Sequence, residues 1–113
     1  MPLPHPIHEE LAELVARRFR LLAEPMRIRL LDRLREGEAT VGELSTSLAA
    51  SQQNVSKHLG VLADAGLVGR RKQGNHVYYR IVDESVFALC EQVCDAAQQQ
   101  LRALQKLVEG VSV

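Results

Sequence analysis

Residues 40–80 read TVGELSTSLAASQQNVSKHLGVLADAGLVGRRKQGNHVYYR, and their pattern decides the fold. Thr40-Val41-Gly42-Glu43 places a hydroxyl and a carboxylate three residues apart, a capping box that opens a short helix with Val41, Leu44 and Leu48 inward. Ser51 caps the next helix. There Val55, Leu59 and Leu62 keep a core period, while Gln52, Gln53, Asn54, Ser56, Lys57 and His58 form a polar face. Gly66 stops it. Two extended runs follow, 67–72 and 76–81, around Gln73-Gly74-Asn75, which predicts a β-hairpin. On it Val68, Val77, Tyr79 and Ile81 are expected to face the protein, with Tyr78 either packing or donating to a phosphate.

Outward from this stretch the chain is helical. Residues 8–23 carry Leu11, Leu14, Val15 and Leu22 at helical spacing. Pro25 suits the first turn of a second helix, whose stripe is Ile28, Leu31 and Leu34 with Met26 and Leu30 beside it, and Gly37 is placed to end it. Asp83 or Ser85 can cap a last helix over 85–109. No repeat or linker interrupts the pattern. The expectation is a mainly α single domain over 1–113: five helices plus a wing, with the helix-turn-helix at 41–66 and the wing at 67–82.

Length and composition exclude other classes. The 113 residues are 46% hydrophobic and 25% charged, as in globular proteins. A domain this size buries about two-thirds of its unfolded surface, enough for one core but not for a deep enzyme cleft as well. No Ser/His/Asp or paired-carboxylate arrangement and no phosphate-cradling glycine loop is present. No apolar run approaches the ~20 residues of a membrane span. Met1-Pro2-Leu3-Pro4-His5 lacks the basic and apolar regions of a secretion signal, so a cytoplasmic location is expected.

Charge is segregated. Lysine plus arginine equal aspartate plus glutamate at 14 each. Yet residues 51–80 hold Lys57, Arg70, Arg71, Lys72 and Arg80 against Asp64 alone, whereas the segments before and after are net acidic. Such a run is either a solvated face or the footprint of an anionic partner. Two short helices with a tight Ala49-Ala50-Ser51 connection favour the second. A helix fits the DNA major groove, glutamine and asparagine pair with adenine through parallel donor and acceptor, and serine bonds to any base. Gln52, Gln53 and Ser56 are therefore candidate base readers, with Lys57 and His58 nearer the phosphates and Asn54 also in the DNA-binding set. Arg70, Arg71 and Lys72, with His76 beyond the turn, put basic groups at the hairpin tip, suited to the backbone or the minor groove. A helix-turn-helix followed at once by a basic hairpin is a winged helix.

With these motifs the chain resembles the ArsR family of bacterial repressors. Leu22-Ala23-Glu24-Pro25-Met26-Arg27-Ile28-Arg29-Leu30-Leu31 looks like the family's opening signature. Residues 51–59, 62–68 and 71–80 match its recognition helix, the helix end and the wing. The resemblance spans about residues 10–105. It implies a repressor that binds double-stranded operator DNA of palindromic form and is released by an effector. It also implies a homodimer through the first and last helices. The sequence supports dimerisation separately. Val86, Cys90, Val93, Ala97, Leu104 and Leu107 or Val108 form one stripe of the last helix, with Phe87, Cys94, Leu101 and Val108 beside it, and one core needs only one row.

Many family members sense metals, arsenite or thiol chemistry. The arsenite and cadmium motif needs two cysteines in the third helix, where Thr40–Leu44 has none. The zinc-type site in the last helix needs aspartate and histidine pairs, and no histidine follows His76. What remains is Cys90 and Cys94, one helical turn apart. They are either small core residues or a sensor of a soft metal, metalloid or thiol-reactive species. Two thiolates do not complete a zinc or arsenite site, so further ligands would have to come from elsewhere in the chain or from a partner. A direct disulfide is awkward, because Cβ atoms one turn apart are separated by ~5–6 Å and a disulfide wants ~3.8 Å. His5 and His8 lie in a proline-rich start and are weaker ligand candidates. Two other readings remain open: a constitutive DNA binder with structural cysteines, and a protein-interaction winged helix.

Overall fold

The computed structural model describes residues 3–111, so the outer limits expected at Met1 and Val113 lie outside the described residues. The chain forms two compact units, one reaching Val82 and the other beginning at Asp83. The first contains α1 (Glu9–Leu21), α2 (Pro25–Leu34), β1 (Ala39–Thr40), α3 (Val41–Leu48), α4 (Gln52–Asp64), β2 (Val68–Gln73) and β3 (His76–Ile81). The second is α5 (Ser85–Val111) with its cap.

The core of the first unit is built by leucines at helical spacing. Leu30, Leu31 and Leu34 of α2, Leu44 of α3, and Val55, Leu59 and Leu62 of α4 are buried, together with Leu67 just before β2 and Ala39, Val68 and Tyr79 from the sheet. Ile28 was expected in the α2 stripe but is 46% exposed, because the buried stripe is centred on Leu30 and Leu31. No residue of α1 is buried. Its C-terminal carbonyls are instead held by Arg27, whose Nη1 donates to Leu21 O at 3.3 Å and Arg20 O at 3.5 Å.

Local chemistry ends each helix as its residues require. Thr40 Oγ1 accepts from Glu43 N at 3.1 Å and also donates to the Glu43 carboxylate at 3.1 Å, and Ser51 Oγ accepts from Asn54 N at 3.1 Å. At the end of α4, Gly66 adopts φ 78°, Gly66 N donates to Ala63 O at 3.0 Å and Leu67 N to Leu62 O at 3.0 Å. This is a Schellman closure, with the apolar contact it favours supplied by buried Leu62 and Leu67. Between α3 and α4 the turn is made by Ala49 in the left-handed region at φ 51°. Ala50 N donates to Ser45 O at 3.1 Å, and the Ser45 hydroxyl returns a bond to Ala50 O.

The sheet has three strands, not the two of the expected hairpin, in the order β1-β3-β2 and antiparallel throughout. β1 is only two residues long and pairs Ala39 with Tyr79 and Thr40 with Tyr78. Strand period and this register give the sheet two faces. Ala39, Val68, Tyr79 and Ile81 lie on the core-side face, with Arg70, Lys72 and Val77 further out along it. Val77 was expected to face the protein but is 37% exposed, because it pairs with Lys72 next to the tip, beyond the core. Thr40, Arg71, Gln73, His76, Tyr78 and Arg80 lie on the other face.

In the second unit, Asp83 Oδ1 accepts from Ser85 N at 3.0 Å and from Ser85 Oγ at 2.5 Å, and α5 runs for 27 residues. Val93, Leu101, Leu104, Leu107 and Val108 are each more than half exposed along it. Among the described residues no helix is long and apolar enough to cross a membrane.

Candidate nucleic-acid interface

α4 presents two chemically different sides. Its buried side is Val55, His58, Leu59 and Leu62. Its outer side carries Gln52, Gln53, Ser56 and Lys57, all exposed, which with Val41 line an open concavity of about 460 Å³. The Ser51 cap starts α4 just before the two glutamines, so they stand on its first turn, the part of a recognition helix that reaches base edges. A Cβ on Gly42 would stand 3.9 Å from Gln52 Nε2, so that side chain lies near the start of α3. Asn54 is half-buried, one step back from this surface.

His58 departs from expectation. It was grouped with Lys57 on the phosphate-facing side, but it is only 6% exposed. Three residues after Val55 and four before Leu62, it falls inside the apolar stripe. Its Nδ1 accepts a hydrogen bond from Arg27 Nε at 3.1 Å. Arg27 thus joins the end of α1, the start of α2 and the middle of α4 through one guanidinium. The two residues are 31 apart in the chain, and no local pattern marks them as partners.

The wing also differs in detail. Arg70, Lys72 and His76 are exposed. Arg71 is exposed too but engaged: its Nε donates to Glu38 Oε2 at 3.3 Å, its Nη2 to Glu38 Oε1, and its Nη1 to Gln73 Oε1 at 2.6 Å. The guanidinium carbon lies 4.9 Å from the centre of the Tyr78 ring, which is itself 6.4 Å from the His76 ring. Basic groups therefore do not simply gather at the tip. Hydrogen bonding from Arg71 holds the Glu38 carboxyl below the ordinary carboxylate range, and the same bond pushes the Arg71 guanidinium higher. With the folded value of Glu38 below its unfolded one, the pair is present at neutral pH and is lost only as acid takes the pH through that lowered value. Glu38 is a residue that the sequence did not mark.

On α5, Cys90 is half-buried and Cys94 exposed, and both are free thiols. Burial raises the pKa of Cys90, and the charge of Cys94 raises it further. Among the described residues no group of three or more histidine, cysteine, aspartate or glutamate side chains is gathered to hold a metal ion, and His5 and His8 take part in none.

Comparison with known proteins agrees with this architecture. A family model described as a helix-turn-helix domain matches residues 22–71. A biofilm growth-associated repressor of Agrobacterium fabrum is 37% identical over 89 residues, which cover 79% of this chain and 76% of that protein. Among solved structures, the AntR antimony-specific transcriptional repressor is similar with a TM-score of 0.78 at 31% identity, covering 88% of this chain and 90% of that one. The homodimeric winged helix-turn-helix DNA-binding domain of Mb0332 from Mycobacterium bovis, a possible ArsR-family regulator, has a TM-score of 0.71 at 33% identity. That match covers 89% of this chain and 94% of the other.

The burial of His58 yields a test. His58→Ala removes an acceptor from a part-buried guanidinium and leaves a gap in the α4 stripe, so it is expected to lower stability by roughly 1–3 kcal/mol in urea unfolding. As an internal residue it should leave the salt dependence of nucleic-acid binding unchanged. A shallower salt slope in that variant would return His58 to the phosphate-contacting set.

Proposed function

The chain belongs to the ArsR family of winged-helix transcriptional repressors, and from that premise we propose that it binds a palindromic operator as a homodimer and is released by an effector. The family acts by binding DNA and is not a family of enzymes. The observation that carries the reading is the exposed row Gln52, Gln53, Ser56 and Lys57 on the first turns of a helix whose opposite side is anchored in the core. In this reading Gln52, Gln53 and Ser56 contact base edges and Asn54 supports them from the third position of the helix. Lys57, Arg70, Lys72 and His76 meet the phosphates or the minor groove.

Dimerisation is supported by the apolar residues left exposed on α5 (Val93, Leu101, Leu104, Leu107 and Val108) and by Leu14 and Phe19 on α1. An apolar row left exposed along α5 in a single copy marks an interface rather than a solvated face. A twofold dimer then requires half-sites about one helical turn apart, or a multiple of it.

The effector reading assigns sensing of a soft metal, metalloid or thiol-reactive species to Cys90 and Cys94. It is supported by their placement one turn apart on the same helix and by the similarity to an antimony-specific repressor. The two thiols supply part of a ligand set, so a bound ion would need further ligands from the partner subunit or from another side chain. When bound, such an ion would cross-link thiolates. The chain's own contribution is to hold two sulfurs on neighbouring turns, one shielded and one open. A second reading, structural cysteines in a regulator that ignores metals, is favoured by the burial that keeps Cys90 in its thiol form.

Gln52→Ala and Gln53→Ala should flatten base preference in a binding-site selection, at roughly 1–3 kcal/mol per lost contact. Lys57→Ala should weaken all duplexes alike and reduce the salt slope. Unchanged base preference in both glutamine variants would disprove the assignment of α4 as reader. In sedimentation, Leu104→Glu should convert a dimer into a monomer that no longer holds the operator, because a buried unpaired charge is strongly unfavourable. Cys94→Ser and Cys90→Ser should still bind DNA but fail to release it when titrated with arsenite, cadmium, zinc, peroxide or a persulfide donor. Within the wild type, alkylation should reach exposed Cys94 before Cys90. Normal release by the double serine variant would leave the cysteines a structural role.

A further inference from the structure

The wing contains a charge pair that DNA recognition does not explain. Glu38 stands immediately before β1, at one edge of the sheet, and Arg71 lies on β2, at the other. To meet, the guanidinium reaches across the central strand, lying against Tyr78 on the way. Two of its nitrogens point at the two Glu38 oxygens and the third at Gln73 Oε1, so its edge is occupied by acceptors and one face by a ring. Arg80 adds a second positive field at the same carboxylate. The neighbours of Arg71 on its own strand, Arg70 and Lys72, make no ion pair among the described residues.

A phosphate, like a carboxylate, offers a guanidinium two neighbouring anionic oxygens, so Glu38 and a DNA backbone compete for one fork. We propose that Glu38 is an electrostatic gate on the wing, withholding Arg71 from DNA phosphates and thereby lowering affinity for every sequence alike. The inference rests on the reading of this hairpin as an element that meets DNA. Its consequence is specific. An exposed ion pair is weak, yet here it removes one cation from the count that meets the duplex. Phosphate contacts carry no base information, so the gate tunes affinity without altering sequence choice. A repressor that must let go of its operator benefits from such a brake.

The test compares wild type, Glu38→Gln, Arg71→Ala and the double variant on a random-sequence duplex and on a selected operator, from about 50 to 200 mM salt. Glu38→Gln keeps the shape and an acceptor oxygen but removes the charge. It is expected to bind both duplexes roughly two- to five-fold more tightly at the low-salt end. Its slope of log affinity against log salt should steepen by about 0.9 per subunit, or about 1.8 for the dimer. The ratio between the two duplexes should stay as in wild type. In the double variant the gain should vanish, since the gate works only through Arg71. All substituted side chains are at the surface, and thermal melts should coincide.

Tighter binding that persists in the double variant would show general repulsion by Glu38 and overturn the gate. Equal or weaker binding by Glu38→Gln overturns it as well, and weaker binding would make the pair a device that aims Arg71 at DNA. A wild-type chain that binds neither duplex overturns the DNA reading itself, and the gate with it. Wild-type binding without a Glu38→Gln gain overturns the gate alone.

Discussion

The hydrogen bond from Arg27 Nε to His58 Nδ1 fixes the roll of α4 about its own axis, and the surface chemistry of the molecule follows from that roll. Leucines alone define a stripe but tolerate rotation, because apolar packing is non-directional. A ring nitrogen in the same stripe, met by a fixed donor, does not. Turning α4 by one residue would carry His58 away from Arg27 and leave polar atoms buried without partners. It would also tip Gln53 and Lys57 toward the core. The same guanidinium holds the last carbonyls of α1, so α1 and α4 are registered to a common point on α2. Arg29 and Arg33, two and six residues further along α2, do similar work on Leu48 O at 3.1 Å and Ser47 Oγ at 3.1 Å, and thereby register α3.

The wing solves a different problem. A two-stranded hairpin is marginal in water. Here β1 adds a third strand with two residues, and the chain that enters it brings Glu38 to the far side of Tyr78. The tightest approach is at Gly69, where a Cβ would stand 3.0 Å from Val82 Cγ1. Val82 N in turn donates to Leu67 O at 3.0 Å, closing the base of the hairpin. With the base closed and Arg71 engaged by Glu38, Arg70, Lys72 and His76 are the other exposed basic groups of the outer half.

Much of this was legible in the residues, and the exceptions share a physical cause. Helix starts at Thr40 and Ser51, the stop at Gly66 and the turn at Gly74 are local events, written within four or five positions of the chain. The polar row on α4 follows from period alone. What escaped were contacts of long sequence separation: Arg27 with His58, Arg71 with Glu38, and the pairing of β1 with β3. A histidine in the middle of a helix with a polar face reads as surface until its partner is known. Ala49 escaped for another reason, since it adopts a left-handed conformation without the glycine that would announce it.

This internal registration bears on how an effector would act. A ligand shifts an equilibrium only by binding one state better than the other, and it needs an element with two arrangements to act on. α4 is a poor candidate for that element, because Val55, Leu59, Leu62 and the Arg27 bond hold it within its own unit. On the proposed reading, control instead lies in the distance between the two copies of α4 in a dimer, which must match the half-site spacing of the operator. Cys90 and Cys94 sit on the helix whose exposed stripe is proposed to join the copies, so chemistry at their sulfurs would alter that distance without disturbing the reader itself. Release then needs no unfolding of the recognition helix, only a pairing of subunits that no longer fits both half-sites at once.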